Sequence, residues 1–230
     1  MYINVVEVYK KNMFNKNIFI TIEGCDFSGK TTQSRLLEKH LKKGGFNVLL
    51  TREPGGTILS EKIRKIILNS NLDIIPLSEL FLFEAARAQH VKKLIYPALK
   101  TGKIVVCDRF IDTTIAYQCY GSNLDLNLVN KLNFIASFGL EPIVTIYLDS
   151  SAGNLKNTTT IKNKKKNNYN CDRIERRSLR FYENVRKGYF EQAKKYPERI
   201  KIVKVQKTTK KTHLLIKNIV DRVLMCLKKY

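Results

Sequence analysis

Five short apolar runs recur along the chain: "NIFITIEG", "FNVLLTREP", "KIVVCDRF", "EPIVTIYLD" and "RIKIVKVQ". Most are continuous rather than alternating, which is the pattern of strands buried on both faces and predicts a parallel sheet. Between them the apolar positions fall into helical spacing, and helices are expected over 31–43, 57–68, 77–100, 127–138, 176–195 and 213–228. The first closes at Gly44, read as its C-cap, with Leu37 and Leu41 one turn apart. In the fifth, Phe181, Val185 and Tyr189 recur at every fourth position, and in the last Leu215, Ile219 and Val223 do the same, each the stripe of an amphipathic helix. Strands alternating with helices indicate right-handed βαβ units and an open α/β sheet covered on both sides.

One segment breaks the alternation. Residues 150–170, "SSAGNLKNTTTIKNKKKNNYN", are polar, basic and without a core-forming pattern. Because the segment lies between a strand and a helix of one sheet, it reads as a lid or surface excursion, at about 150–175, rather than a boundary. Residues 1–16 read as an N-terminal extension and 17–230 as a single domain, within the size range one core supports.

Composition changes this picture little. The chain has 42 Lys and Arg against 20 Asp and Glu, a formal charge of +22, which favours polyanions. The chain is also rich in Asn and Ile, as translation of an AT-rich genome produces, and surface Lys chiefly solubilises, so charge alone selects no partner. Five cysteines without C-x-x-C spacing argue for reduced thiols in a cytoplasmic setting, with neither a disulfide framework nor a zinc site. No apolar run approaches the roughly 20 residues that span a bilayer, so no membrane partner is expected.

Specific chemistry enters at residues 24–31, where Gly24, Cys25, Asp26, Phe27, Ser28, Gly29, Lys30 and Thr31 match G-x-x-x-x-G-K-[ST] between a strand and a helix. The glycines let successive N–H groups converge on one anion, and the following helix presents the positive end of its dipole. Lys30 adds a mobile positive charge for the β and γ phosphates, and Thr31 a hydroxyl for Mg²⁺. "VVCDRF" sets Asp108 and Arg109 at the end of a buried strand, the edge where ligands collect in open α/β sheets. Asp108 can hold Mg²⁺ through water and Arg109 can present a planar fork to a phosphate. The plainer alternative is an Asp that caps the next helix beside a locally paired Arg.

Taken together, "GCDFSGKTTQ", "TREPGGT" at 51–57, "FEAARAQH" at 83–90, "CDRFIDTTIAYQ" at 107–118 and "DRIE" at 172–175 resemble the thymidylate kinase family, in that family's order, across roughly 17–206. The resemblance implies a P-loop nucleoside monophosphate kinase-like three-layer sandwich: a five-stranded parallel sheet, helices on both faces and a lid segment. It also implies phosphoryl transfer from ATP to dTMP with Mg²⁺, for dTTP synthesis, and a homodimer to which 83–99 contributes. On the donor side it assigns the phosphate loop through Thr32, with Thr31 and Asp108 for the metal. On the acceptor side it assigns Glu53, Pro54, Phe83, Arg87, Arg109, Thr114, Tyr117 and Gln118. Phe83 and Arg87 lie at i and i+4 on one helix face, the pair the family sets on the thymine ring, although "LFLFEAA" also suits Phe83 as core. Tyr117 corresponds to the aromatic beside the deoxyribose, and Asp26 to a carboxylate aimed at the acceptor 3′-OH.

The chain departs from the family where transition-state charge is supplied. Phe27 stands at the loop position that carries an arginine in some members, and the lid has Lys162, Lys164, Lys165 and Lys166 where arginines are expected. Arg173 is then the catalytic candidate, brought onto the ATP phosphates with lid lysines on closure. Two other functions stay open at this level: a nucleotide-binding protein with weakened activity, and a basic P-loop protein that binds nucleic acid. The Lys-rich stretch has a single aromatic, Tyr169, and no readable nucleic-acid module, so no specific nucleic acid is expected.

Overall fold

The computed structural model describes residues 18–150 and 172–228. The N-terminal extension over 1–16, the body of the expected lid and its four lysines lie outside the described residues. The five apolar runs form strands β1 (Phe19–Gly24), β2 (Val48–Arg52), β3 (Ile104–Asp108), β4 (Val144–Asp149) and β5 (Ile200–Lys204). They make one sheet in the order β2-β3-β1-β4-β5, and every pairing is parallel. Every residue of β1, β3 and β4 is buried, as the continuous apolar runs require, whereas the edge strands β2 and β5 are only partly covered.

Among the described residues eight α-helices accompany the strands: α1 (Lys30–Lys43), α2 (Ile58–Leu68), α3 (Pro76–His90), α4 (Tyr96–Lys100), α5 (Ile111–Thr114), α6 (Leu126–Ser137), α7 (Leu179–Lys195) and α8 (Thr209–Lys228). On one face of the sheet Leu37 and Leu41 of α1 and Ile216, Val220 and Leu224 of α8 pack on Ile20, Ile22, Val106 and Ile146. The opposite face carries two further clusters, one built from α7 with Tyr147 and one joining Val91, Ile95 and Leu99 to Phe19, Val105 and Phe110. The result is the three-layer arrangement expected, with helices on both sides.

Several boundaries move for local reasons. α1 ends in a Schellman motif, with Phe46 N–H on the Leu41 carbonyl and Gly45 N–H on that of Lys42. Gly44 is the C-cap, as expected, and the left-handed residue that closes the motif is the next one, Gly45 (φ 83°). The single helix expected over 77–100 is three pieces, because a π-helical turn, Val91–Ile95, precedes Pro97, which has no N–H to continue the i−4 ladder. α7 starts at Leu179 because the Ser178 hydroxyl caps Phe181 N–H. α8 begins four residues early, at Thr209, with the Thr208 hydroxyl accepting from Lys211 N–H. Its buried stripe is Ile216, Val220 and Leu224, one position on from the expected Leu215, Ile219 and Val223; Leu215 is exposed. The helix formed by α5 and the π-helical Ile115–Gly121 shows no apolar period in the sequence, because every residue from Ile111 to Cys119 is buried.

Candidate active site

Strand order reverses between β1 and β3, so the segments leaving their C-terminal ends diverge and open a crevice. The phosphate loop leaves β1 and Asp108-Arg109 ends β3 beside it, while Glu53 follows β2 with its N–H on the Asp108 carbonyl at 3.0 Å. The cleft there encloses about 310 Å³, and Asp26, Phe27, Lys30, Thr31, Thr32, Glu53, Arg64, Asp108, Arg109 and Glu175 are among its lining residues.

The loop is shaped for an anion. Gly24 has φ 149°, and a Cβ there would stand 2.7 Å from Ser28 Oγ and 2.8 Å from the Leu148 carbonyl, so only glycine lets the chain turn off β1. Gly29 sits at the N-cap of α1 without a side-chain cap, leaving the first-turn N–H groups directed out of the helix end. Lys30 Nζ folds over the loop to the Cys25 carbonyl at 2.8 Å. Burial, and then the charge of Arg109, hold its ammonium below the ordinary lysine range. Burial pushes the Cys25 thiol up to about 12, so it plays no nucleophilic part.

Thr31 Oγ1 donates to Asp108 Oδ2 at 2.6 Å, while Asp108 Oδ1 is buried and lacks a hydrogen-bond partner. An orphaned carboxylate oxygen beside a hydroxyl is an all-oxygen donor set of the kind hard divalent cations take, so these residues fit Mg²⁺.

Arg109, directly after β3, ties the phosphate loop to the segment that follows that strand. Its backbone is left-handed at φ 73°, a conformation that costs a non-glycine residue roughly 1–2 kcal/mol and is held by surrounding bonds. Its N–H donates to the Ile22 carbonyl, and the next N–H, of Phe110, donates to Glu23 at 2.7 Å. Burial, and then Asp112, push the Glu23 carboxyl up to about 8. The guanidinium reaches the Gly24 carbonyl at 2.9 Å and Asp26 Oδ1 at 2.5 Å, and lies 5.1 Å from the Tyr117 ring centre. Asp26 Oδ2 in turn faces the hydroxyls of Tyr117 at 3.3 Å and Tyr182 at 3.2 Å. Burial raises the proton affinity of Asp26, but Arg109 and Lys30 outweigh it and hold the carboxyl below its usual range.

A second buried knot lies behind the first. Arg87, only 2% exposed, donates to Glu53 at 2.9 Å, Glu84 at 2.8 Å, Asn133 at 2.5 Å and Thr114 at 2.8 Å. Glu53 also meets His90 Nδ1 at 3.0 Å, and His90 packs so closely that a Cβ on Gly56 (φ 82°) would stand 2.5 Å from its ring. Pro54 offers its carbonyl to Arg64 at 3.0 Å. Phe83 is half-buried against Ile63, Ile67 and Ala86, in line with the core alternative. Gln118 donates to Glu79 at 2.7 Å.

Arg173 is absent from the cleft lining. It is tied to Glu79 and, at 2.8 Å, to the Ile67 carbonyl, while its own N–H reaches the Leu68 carbonyl at 3.2 Å. Reaching the donor phosphates, as sequence reasoning expected, would require those bonds to exchange. That reasoning missed Arg64, Glu175, Glu79, Tyr182 and Asn133. For Arg64 a signal existed, an arginine beside the buried Ile63 and Ile67 stripe of α2, and for Glu175 its place in "DRIE", where it bonds Asp172; Glu79, Tyr182 and Asn133 gain meaning only from partners far along the chain.

The family model described as thymidylate kinase matches residues 22–216. A curated thymidylate kinase of Wolbachia pipientis wMel is 46% identical over 199 residues, 86% of this chain and 95% of that protein. One of Thermoanaerobacter sp. (strain X514) is 41% identical over 215 residues, 94% of this chain and 99% of that protein. Among solved structures, thymidylate kinase from Ehrlichia chaffeensis superposes with a TM-score of 0.70 at 38% identity, covering 88% of this chain and 98% of that one. With the phosphate loop, the metal-fitting pair and Arg109 gathered at the switch point of a five-stranded parallel sheet, the chain belongs to the thymidylate kinase family, nucleoside monophosphate kinases that act as phosphotransferases.

Proposed function

We propose that this chain transfers the γ-phosphoryl group of ATP to dTMP, with Mg²⁺, and so supplies dTDP for dTTP synthesis. The observation that carries the reading is the position of Arg109. Its strained backbone and bonds to Gly24 and Asp26 hold one guanidinium against the phosphate loop, in the lining of the cleft. Such a transfer demands little covalent work from the protein; it needs two phosphates aligned and the charge on the moving group neutralised. The loop N–H groups and Lys30 address the donor, Thr31 and Asp108 would hold the metal, and Arg109 with Arg64 faces the acceptor phosphate. Bound Mg²⁺ supplies charge neutralisation across the donor phosphates. Asp26, held ionised by Arg109 and Lys30, is set to accept a hydrogen bond from the acceptor sugar hydroxyl. Glu53, Pro54, Phe83, Arg87, Thr114, Tyr117 and Gln118 form the acceptor side, with Arg87 and Thr114 already bonded to each other. Arg173 and charges from the lid complete the neutralisation on closure.

A homodimer fits the apolar side chains left exposed on α2, α3 and α6, namely Ile58, Leu59, Ile66, Leu77, Phe81, Phe134 and Ile135. The 83–99 stretch contributes less than its sequence suggests, because Ala86, Val91, Ile95, Ala98 and Leu99 are buried within the chain. A cytoplasmic setting suits the free thiols of Cys25, Cys107 and Cys119. Among the described residues no helix is long and apolar enough to cross a membrane.

An acceptor panel tests the function. With ATP and Mg²⁺, ADP release should be at least about tenfold faster per enzyme with dTMP than with UMP or AMP, with dUMP between them. No release with dTMP, or a preference for another acceptor, would overturn the assignment.

A further inference from the structure

Tyr182 lies on the buried stripe of α7, 1% exposed, with its ring edge-on to those of Tyr117 and Phe181. Packing alone would be met by phenylalanine. The hydroxyl, however, sits between two acceptors: Asp26 Oδ2 at 3.2 Å and the Ile174 carbonyl at 3.0 Å. A phenol has one proton, so it serves one of them fully or both weakly. The first acceptor belongs to the phosphate loop. The second belongs to residues 172–177, whose Arg173 and Glu175 respectively tie to Glu79 and line the cleft.

We propose that Tyr182 is a positioning residue for phosphoryl transfer: its hydroxyl orients Asp26 Oδ2 toward the acceptor and links that orientation to the placement of residues 172–177. The inference rests on the proposed role of Asp26 at the acceptor hydroxyl. With the acceptor absent, Asp26 is the stronger partner for the phenol, since a hydrogen bond to an ionised oxygen exceeds one to a neutral carbonyl. When the acceptor hydroxyl donates to Asp26, the phenolic O–H rotates toward Ile174 and holds that segment against α7. No covalent bond forms or breaks in this exchange. Tyr117 also donates to Asp26 Oδ2, at 3.3 Å, but its hydroxyl is otherwise engaged by Arg109, whereas the Tyr182 hydroxyl reaches Ile174. The charged and titratable groups around Asp26 are Lys30 and Cys25 in its own loop, Arg109 after β3, Tyr117, Asp172 and Tyr182 itself.

A double-mutant cycle tests the proposal. Tyr182→Phe keeps the ring and removes one oxygen; kcat with dTMP should fall roughly tenfold, the low end for a long bond to an ionised acceptor, with KM for ATP unchanged. In the Asp26→Asn background the same change should alter single-turnover rates less than about twofold. The acid limb of the kcat profile should also move to higher pH in Tyr182→Phe, because the carboxylate loses a donor that favours its charged form. If Tyr182→Phe does not fold, 3-fluorotyrosine at position 182 keeps ring and hydroxyl, and its more acidic phenol should move the acid limb to lower pH. An equal loss of rate in both backgrounds, or an unmoved acid limb, would show that Tyr182 only packs. Wild-type kcat in Asp26→Asn alone would instead overturn the role of Asp26, and that of Tyr182 with it.

Discussion

Removing the Arg87 guanidinium should cost more stability than its single position suggests. In Arg87→Met a side chain of similar length fills the space, but Glu84, 7% exposed, remains buried without its counter-charge and Glu53, 5% exposed, keeps only His90. Asn133 and Thr114 also lose their donor. Breaking a buried ion pair from one side costs about 3–5 kcal/mol, against a total stability of roughly 5–15 kcal/mol for a typical domain. For a chain of this size the melting temperature should drop by roughly 6–20 °C. The loss must also depend on pH with a definite sign. Burial already raises the proton affinity of Glu84, with Arg87 opposing it. Without Arg87 the native state binds that proton more firmly still, so the stability contribution is complete below the unfolded-chain value and is lost as pH rises through the folded one. Urea unfolding followed by far-ultraviolet circular dichroism at pH 5, 6.5 and 8 measures both effects. The deficit relative to wild type should widen from pH 5 to pH 8. A variant within 1 kcal/mol of wild type at pH 8, or a deficit that narrows with rising pH, would refute the reasoning.

Two further expectations follow from other parts of the structure. Asp108→Asn replaces the orphaned Oδ1 and its charge beside Thr31, and should raise the Mg²⁺ concentration for half-maximal turnover about 10–100-fold while leaving the fold intact by circular dichroism; an unchanged Mg²⁺ requirement counts against the metal assignment. Gly188→Ala drives a Cβ to 2.7–3.0 Å from the Tyr120 ring and its Cβ, where α7 meets the π-helical segment, and should destabilise by about 1–3 kcal/mol in the same urea assay; a neutral result would mean that the helices separate more easily than their packing indicates.

The parts of the fold legible in the chain are those whose cause is local. Continuous apolar runs led directly to β1, β3 and β4 because strands covered on both faces have no polar side to display. The same logic failed for residues 111–121, where a helix buried all round shows no period, and at α8, where the four-residue repeat chose the neighbouring stripe. The phosphate loop was legible for a different reason: its chemistry is carried by main-chain N–H groups and by glycines, and both stand consecutively in the sequence.

What the amino-acid order determined by itself, then, is the set of elements, the anion-binding turn after the first strand and the family's ordered motifs. Apart from Arg87 and Glu84, one turn apart on α3, tertiary structure decided which of the site's charges meet. Arg109 finds Asp26 across 83 positions, Arg87 finds Glu53 across 34 and Asn133 across 46, and Tyr182 finds Asp26 across 156. Such partners are invisible along the chain because a buried charge is satisfied by whatever group the sheet topology brings within about 3 Å of it.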